Sequence, residues 1–396
     1  MKRVADRVDN LEIPKTISMT VKARELAEQG KDVISLSLGE PDFDTPDFIK
    51  KAAVKGMDEN YTHYMPVKGF PDLREAISKK FKRDNDLDYS IDQIVVSTGA
   101  KQTISNVLLS LVNPGDEVII PAPYWVSYLE QTKLAEGKSV VIETSIENNF
   151  KITPAQLKAA MTDKTKLMIF STPNNPSGAI YTQDELDALA EVIATKRDFY
   201  VLCDEIYELI NYTGVKSSLA KNPKVNEQVI TVNGLSKGFA MTGWRLGYMG
   251  APKWIADACD KIQSQFTSGT SSISQRAAIA AVEADPSEVD YMVNAFRERR
   301  DIVTEGLNAI PGFDVLVPDG AFYIFPHVQE VIDKSHLKDD MELAEYILEN
   351  ALVASVPGSA FGLEGYIRFS YAAKAEVLKE AISRIATCVE DLLSKE

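Results

Sequence analysis

The stretch Asn233-Gly-Leu-Ser-Lys237-Gly-Phe-Ala-Met-Thr-Gly-Trp-Arg245-Leu-Gly-Tyr248 follows directly after the apolar run Val229-Ile-Thr-Val232. The apolar run predicts a buried strand, so Lys237 comes where that strand has ended and the backbone turns. In open α/β sheets, ligands bind beyond the carboxyl ends of the parallel strands. The stretch therefore favours a ligand site at a sheet edge, although a lysine in a loop rich in serine and glycine is more often simply exposed.

Two side chains in this stretch match a particular cofactor, pyridoxal 5′-phosphate (PLP). The amine of Lys237 can form an imine with the PLP aldehyde, and the guanidinium of Arg245 suits a dianionic phosphate. Gly234, Gly238 and Gly243 leave room for a bulky ligand. The hypothesis depends on whether other strand ends supply the remaining groups.

Composition sets limits on the class of protein. The 396 residues exceed the roughly 250 to 300 at which single cores stop growing, which predicts two domains. A net charge of -15 argues against nucleic acid and anionic membrane as partners. Three cysteines and three histidines lack redox or metal spacing, and no apolar segment resembles a signal peptide or a membrane span. We therefore expect a cytoplasmic protein without a metal or a disulfide framework.

Five apolar runs predict the strands of one sheet. They end near residues 98, 120, 171, 203 and 232, and helix-like segments separate most of them. This alternation predicts an α/β fold with a mostly parallel central sheet and helices on both faces. Gly99, Asn175, Asp204 and Lys237 follow four of the strands, and these residue types fit one small-molecule site.

Several loops offer groups that a phosphate could use. The Gly99-Ala100-Lys101 turn separates a predicted strand at 93–98 from a predicted helix at 102–112, and the free N–H groups and dipole of a helix N-terminus favour an anion. Tyr64 could donate its hydroxyl to a phosphate or simply pack. Gly39 begins a loop with two prolines where a ligand could touch the backbone, unless the loop is a plain connector.

Three further side chains each allow two interpretations. Trp125, rigidly presented after two prolines, could stack on a pyridine ring or fill the core. Asp204 leaves a buried strand and needs a cation or hydrogen bonds, which a pyridinium nitrogen or a helix N-terminus could supply. Arg368, within an apolar strand, needs an acceptor, either a substrate carboxylate or a carboxylate of the protein.

The later part of the chain is predicted to be mainly helical up to a boundary at Pro311-Gly312. A long helix is expected over 288–309. Short strands are expected around Val315 and over 322–325, 353–358 and 366–370, before a final helix.

These residues resemble the class I aminotransferases of PLP fold type I. The motifs that carry the resemblance are Gly39-Glu-Pro-Asp-Phe, Pro123-Tyr-Trp125, Ser171-Thr-Pro-Asn-Asn175-Pro-Ser-Gly, Asp204-Glu-Ile-Tyr207, Ser236-Lys237-Gly, Gly243-Trp-Arg245-Leu-Gly and Ile367-Arg368-Phe-Ser. They span nearly the whole chain in the order expected for the family. Within it, the chain is most similar to the bacterial Ib-type aspartate aminotransferases, which are homodimers with shared active sites.

The resemblance implies a large PLP-binding domain and a smaller α+β domain formed by the two chain ends. Residues 1–45 and 311–396 would form the small domain, and 46–310 the large one. Lys237 would hold PLP as a Schiff base and then move protons, while Asp204 would pair with the pyridinium nitrogen.

The resemblance also assigns the remaining contacts of the cofactor and the substrate. Around the cofactor, Tyr207 and Asn175 would bond the ring hydroxyl oxygen, Trp125 would stack on the ring, and the phosphate would meet Gly99, Ala100, Lys101, Ser236, Arg245 and Tyr64 of the partner subunit. Arg368 would bind the substrate α-carboxylate, with Gly39, Asn175 and Trp125 beside it.

The implied reaction moves the amino group of L-aspartate to 2-oxoglutarate, giving oxaloacetate and L-glutamate by a ping-pong mechanism. Lys101 and Thr16 occupy the places that bind the distal carboxylate in this subgroup, whereas Pro14 replaces a serine of a close relative. Prephenate or a broader range of aromatic and dicarboxylic substrates is the alternative. A PLP-dependent β-lyase and a non-enzymatic PLP sensor are further alternatives.

Overall fold

The computed structural model describes residues 4–12 and 15–394, apart from the side chains of residues 15–18 and 20. The strands are β1 (Ile34–Ser35), β2 (Ile94–Ser97), β3 (Glu117–Pro121), β4 (Lys138–Ile142), β5 (Thr165–Ser171), β6 (Tyr200–Asp204), β7 (Val229–Gly234), β8 (Gly247–Gly250), β9 (Tyr323–Ile324), β10 (Val353–Ala354), β11 (Val356–Pro357) and β12 (Ile367–Ser370). The α-helices are α1 (Asp6–Asp9), α2 (Lys15–Glu28), α3 (Asp47–Asp58), α4 (Pro71–Lys80), α5 (Ala100–Leu111), α6 (Ser127–Leu134), α7 (Pro154–Ala160), α8 (Gln183–Ile193), α9 (Lys253–Phe266), α10 (Ser272–Glu283), α11 (Asp290–Asn308), α12 (Gln329–Lys334), α13 (Asp340–Ala351) and α14 (Ala375–Leu393).

The central sheet has the strand order β2-β8-β7-β6-β5-β3-β4. Strand β8 runs antiparallel to both of its neighbours, whereas the pairs from β7 through to β4 are parallel. The predicted mostly parallel α/β sheet is therefore confirmed, and each of the five predicted strands lies in it. Parallel strands bring their carboxyl ends to one edge, which is where the predicted site residues follow β5, β6 and β7.

Successive residues of the strands point into two different cores. Val201 belongs to one buried cluster and Leu202 to another. The cluster around Leu202 includes residues of α5 and α9, and the cluster around Val201 includes residues of α8, α10 and α11. Since neighbouring strand residues face opposite sides of a sheet, helices cover both of its faces, as predicted.

The two ends of the chain meet in smaller sheets. Strand β1 pairs in parallel with β10, with Ile34 opposite Val353. Strands β11, β12 and β9 form an antiparallel sheet in that order. This arrangement agrees with a small α+β unit built from both chain ends, while its predicted limits at residues 45 and 311 stay a prediction.

Helix boundaries follow local chemistry. A capping box at Thr182 begins α8: the Thr182 hydroxyl accepts the Glu185 N–H, and the Glu185 carboxylate accepts the Thr182 N–H. Helix α5 begins two residues earlier than predicted, which places Ala100 and Lys101 in its first turn. None of the helices in the described part of the chain is long and apolar enough to cross a membrane.

Some strands are shorter in the structure than the sequence predicts. Around Val315 the chain forms only an isolated bridge between Asp314 and His327, and Pro318, which has no N–H to donate, follows closely. In the apolar segment 33–38, only Ile34 and Ser35 pair as a strand, and the residues Ser37, Leu38 and Gly39 that follow line a cavity.

Candidate functional site

A cavity of about 610 Å³ lies at the carboxyl ends of β5, β6 and β7. Predicted site residues that line it are Gly39, Ala100, Lys101, Trp125, Asn175, Asp204, Tyr207, Ser236, Lys237, Arg245 and Arg368. The structure therefore brings together residues that lie up to 329 positions apart in the sequence, from 39 to 368.

Lys237 follows the end of β7 and directs its amine into the cavity. Its Nζ donates a hydrogen bond to the carbonyl oxygen of Gly39. The side chain keeps partial exposure to the cavity, but densely packed protein removes most water from the amine. This burial lowers the pKa of Lys237 to about 8, with Glu40 opposing the shift and Arg368 and Arg245 adding to it. A substantial neutral fraction near pH 8 makes this amine a competent nucleophile.

Asp204 is the last residue of β6, and its carboxylate is buried. One oxygen accepts a hydrogen bond from the Tyr128 hydroxyl at 2.8 Å, and the other accepts the Ile206 N–H at 3.3 Å. Burial raises the pKa of Asp204 to about 6, against those two hydrogen bonds and the nearby Lys237. The described residues 205–218 contain no helix, so helix capping does not explain this aspartate. A cationic ligand group would complete its environment.

Arg368 lies in β12 and is buried. Its two terminal nitrogens donate to Asn175 Oδ1 at 3.0 Å and to the Ser37 carbonyl at 2.6 Å. The guanidinium carbon lies 4.5 Å from the Tyr323 ring centre and 4.9 Å from that of Phe361. Its buried Nε has no partner among the described residues, and its described hydrogen bonds go to an amide and a carbonyl rather than to a carboxylate. The arginine therefore retains capacity for an anionic ligand.

The N-terminus of α5 forms a cradle at the other end of the cavity. Gly99 has φ +82°, and a Cβ atom on it would lie 2.5 Å from a terminal nitrogen of Arg245. Arg245 is exposed in the single chain and donates to the Thr242 carbonyl at 2.9 Å. The first N–H groups of the helix, from Ala100 onward, have no acceptor within the helix, and the Ser236 hydroxyl faces the same cavity. This combination suits a phosphate.

Lys101 and Trp125 form one wall. The Lys101 amine lies 4.9 Å from the centre of the Trp125 ring, and burial followed by the charge of Arg245 lowers the pKa of Lys101. Trp125 meets the ring of Tyr128 edge-on at 5.5 Å. The indole thus packs partly against the core while still lining the cavity, so both interpretations of this tryptophan apply.

The predicted residue Tyr64 is not among those that line the cavity. Tyr64 is 98% exposed, so the alternative that it packs within its own chain is wrong. Thr16 belongs to α2, but its side chain lies outside the described part, as does Pro14. Two other α2 residues, Val21 and Arg24, line the cavity.

Sequence reasoning missed two tyrosines. Tyr128 bonds Asp204, and the hydroxyl of Tyr323 lies 2.9 Å from that of Tyr207. The only sequence clue to Tyr128 is its position three residues after Trp125. Tyr323 stands in a short apolar strand that predicts nothing beyond burial.

The side chains present fit PLP. The amine of Lys237, the buried carboxylate of Asp204 and the Gly99 cradle beside Arg245 match its aldehyde, ring nitrogen and phosphate, respectively. The spare donor of Arg368 leaves a place for a substrate carboxylate.

Comparison with known proteins shows the family to which the chain belongs. The family model described as aminotransferase class I and II matches residues 31–385. The chain is 44% identical to an aspartate/prephenate aminotransferase of Nitrosomonas europaea over 97% of this chain and 99% of that protein. It is similar in structure to the aspartate aminotransferase of Rhizobium meliloti, with a TM-score of 0.95, 40% identity and coverage of 98% and 99% of the two chains. It is also similar in structure to a Thermus thermophilus aspartate aminotransferase with maleate, with a TM-score of 0.92, 40% identity and coverage of 98% of this chain and 100% of that one.

Proposed function

The chain belongs to the class I and II aminotransferases, which are PLP-dependent transaminases, and we propose that it moves the amino group of L-aspartate to 2-oxoglutarate, giving oxaloacetate and L-glutamate. The observation that carries the proposal is the meeting of Lys237, Asp204 and Arg368 in one cavity. These are a nucleophilic amine, a buried carboxylate and a cation with a spare donor.

Lys237 performs the covalent and proton-transfer work in this proposal. Its lowered pKa supplies the neutral amine that bonds the cofactor aldehyde. When bound, PLP supplies an electron sink for the charge that develops at the substrate α-carbon. Once the incoming amino acid has displaced it, the Lys237 amine would be free to take the proton from the substrate α-carbon and return it two bonds away, at the carbon that was the PLP aldehyde.

Other groups hold the ring in place. We assign the Asp204 carboxylate to the pyridinium nitrogen, because a cation removes the cost of burying that carboxylate. Tyr207 and Asn175 lie on the same lining and can reach the ring hydroxyl oxygen, and Trp125 offers its face to the ring. Each of these groups lies at or shortly after the end of a strand, which limits its movement.

The phosphate belongs at the start of α5. Donors there are the N–H groups of Ala100 and Lys101, the Ser236 hydroxyl and the Arg245 guanidinium, whereas the Gly99 N–H already donates to the Ser97 carbonyl at 2.8 Å. The positive end of the helix dipole favours the same anion.

Substrate recognition uses two cations. Arg368 binds the α-carboxylate beside Gly39 and Asn175, and Lys101, with Thr16 from α2, binds the distal carboxylate. Aspartate and 2-oxoglutarate both carry two carboxylates, so each can use both cations. Because one Arg368 serves the amino acid and the keto acid in turn, we expect ping-pong kinetics.

Prephenate is a second candidate acceptor. The relative from Nitrosomonas europaea carries the name aspartate/prephenate aminotransferase. Prephenate also has two carboxylates, and the same pair of cations could bind them. Rates with prephenate and 2-oxoglutarate at equal concentration decide between the two acceptors.

We further propose a cytoplasmic homodimer with shared active sites. Tyr64 is 98% exposed and Arg245 is also exposed in the single chain, which suits an edge of the site that a second copy completes. In that dimer, the Tyr64 hydroxyl would bond the phosphate in the partner's site. The three cysteines, Cys203, Cys259 and Cys388, are buried and form no disulfide among the described residues, which suits a reducing compartment.

An assay with aspartate and 2-oxoglutarate tests the function. Formation of oxaloacetate and glutamate is the expected result. Pyruvate with ammonia would instead identify a β-lyase, and PLP binding without turnover would identify a sensor.

A further inference from the structure

Tyr323 lies between Arg368, which would bind the substrate, and Tyr207, which would hold the cofactor ring. It stands in β9, opposite Ser370 of β12, and is buried. Arg368 is two residues before Ser370 and so lies on the same face of β12. Diagonal neighbours across a strand pair are within reach of aromatic side chains, and the Tyr323 ring does reach Arg368.

The ring and the hydroxyl of Tyr323 make different contacts. The ring centre lies 4.5 Å from the Arg368 guanidinium carbon, a cation–π distance. The hydroxyl oxygen lies 2.9 Å from that of Tyr207, whose ring meets Tyr323 at 81°. Gly39 makes room for this hydroxyl, because a Cβ there would lie 2.5 Å from it.

A hydroxyl group has a single proton, which fixes how this pair can work. If Tyr207 donates to the ring oxygen of PLP, its own oxygen must accept from Tyr323. Tyr323 then polarises the hydrogen bond that Tyr207 donates, because chained hydrogen bonds strengthen one another. The Tyr323 ring also packs against the Arg368 guanidinium and so restricts its orientation.

We propose that Tyr323 is a positioning residue with two separable roles, its hydroxyl strengthening the hydrogen bond from Tyr207 to the cofactor and its ring orienting Arg368 for the substrate α-carboxylate. This inference rests on the proposed function, since it uses the positions assigned there to PLP and substrate. It assigns a role to a side chain whose position in the sequence predicts only burial.

The variant Tyr323→Phe tests the hydroxyl alone. The visible absorbance of protein-bound PLP changes with pH as the chromophore loses a proton, and a donor to the ring oxygen favours the deprotonated form. Without the Tyr323 hydroxyl, Tyr207 becomes a weaker donor, so the midpoint of the pH-dependent absorbance change should move to higher pH by roughly 0.5 unit or more. The dissociation constant for succinate, measured by calorimetry on the holoenzyme, should change by less than about twofold, because the ring remains.

Tyr371→Phe is the matched control. Tyr371 is also a buried tyrosine whose hydroxyl bonds a second tyrosine, Tyr212, at 3.2 Å. Its removal should leave the midpoint at the wild-type value. An equal midpoint in Tyr323→Phe and Tyr371→Phe would overturn the role of the Tyr323 hydroxyl.

The variant Tyr323→Leu tests the ring. Loss of the aromatic face should weaken succinate binding by about tenfold, in addition to the spectroscopic shift. Wild-type succinate affinity in Tyr323→Leu would overturn the orienting role, and melting temperatures of all variants identify any general loss of folding. If the wild-type protein binds PLP but does not transaminate, the proposed function fails while the spectroscopic comparison still decides the role of the hydroxyl.

Discussion

At the scale of single residues, the burial of Lys237 determines when the apoprotein can capture its cofactor. The pKa of this amine is about 8, below the ordinary lysine value of 10.5. Only the neutral amine attacks an aldehyde, so the rate of PLP capture should rise with pH and level off above pH 8. Stopped-flow absorbance from about pH 6.5 to about pH 9.5 should place the midpoint near 8. A rate still rising steeply at the top of this range would mean that the amine has the pKa of an exposed lysine.

Arg368 makes a separate residue-scale prediction. Replacing it with alanine should raise KM for every amino acid by about 10- to 100-fold, because a charge-assisted hydrogen bond contributes roughly 1.5 to 3 kcal/mol. Arg368→Lys keeps the charge but lacks the planar fork, so it should recover only part of the loss. Steady-state kinetics with aspartate and glutamate measure both variants. An unchanged KM in Arg368→Ala would mean that Asn175 and the Ser37 carbonyl are all that this arginine serves.

The residues themselves differ in how far sequence could predict them. Lys237 and Asp204 stand immediately after apolar runs, so their place at a sheet edge follows from local pattern. Tyr128 and Tyr323 contact the site from a helix and a strand whose approach depends on the complete fold. No spacing in the chain relates position 128 to 204 or 323 to 207, which is why sequence reasoning missed them.

At the scale of elements, strand β8 illustrates the same limit. Two of its four residues are glycine, which disfavours strands, so the sequence did not predict it. The structure explains both glycines: a Cβ on Gly247 would lie 2.3 Å from the Ala100 nitrogen, and one on Gly250 would lie 2.4 Å from the Tyr89 ring. Contacts between distant segments thus override strand propensity.

Helix α5 allows a prediction with a matched control. Gly99→Ala should weaken PLP binding by at least tenfold, because the new Cβ would collide with the Arg245 guanidinium. Gly115→Ala has a similar φ, +88°, but open space around its Cβ. Both variants should lose about 1 to 3 kcal/mol of stability from the positive φ. Fluorescence titration with PLP should therefore separate them, and equal PLP affinities would remove the start of α5 from the phosphate site.

At the scale of the whole molecule, the site depends on segments from both ends of the chain. The Ser37 carbonyl accepts from Arg368, and the Ser370 N–H donates to the Leu36 carbonyl at 2.7 Å. These bonds hold the loop that begins at Gly39 against β12, opposite the strand ends that carry Lys237. Sequence patterns could predict each piece, but only the assembled sheets fix the distances between them.

The largest-scale prediction concerns the proposed homodimer. If Tyr64 serves the partner's site, a hybrid of one Lys237→Ala chain and one Tyr64→Ala chain contains one intact site, because each chain supplies what the other lacks. Two affinity tags allow the hybrid to be purified, and at limiting PLP it should show about half of the wild-type turnover per dimer. The Lys237→Ala homodimer should lose about 10³-fold or more, since its acid and base is gone. If Tyr64 serves its own chain, neither site in the hybrid is intact, and its turnover should be no higher than the mean of the two parent homodimers.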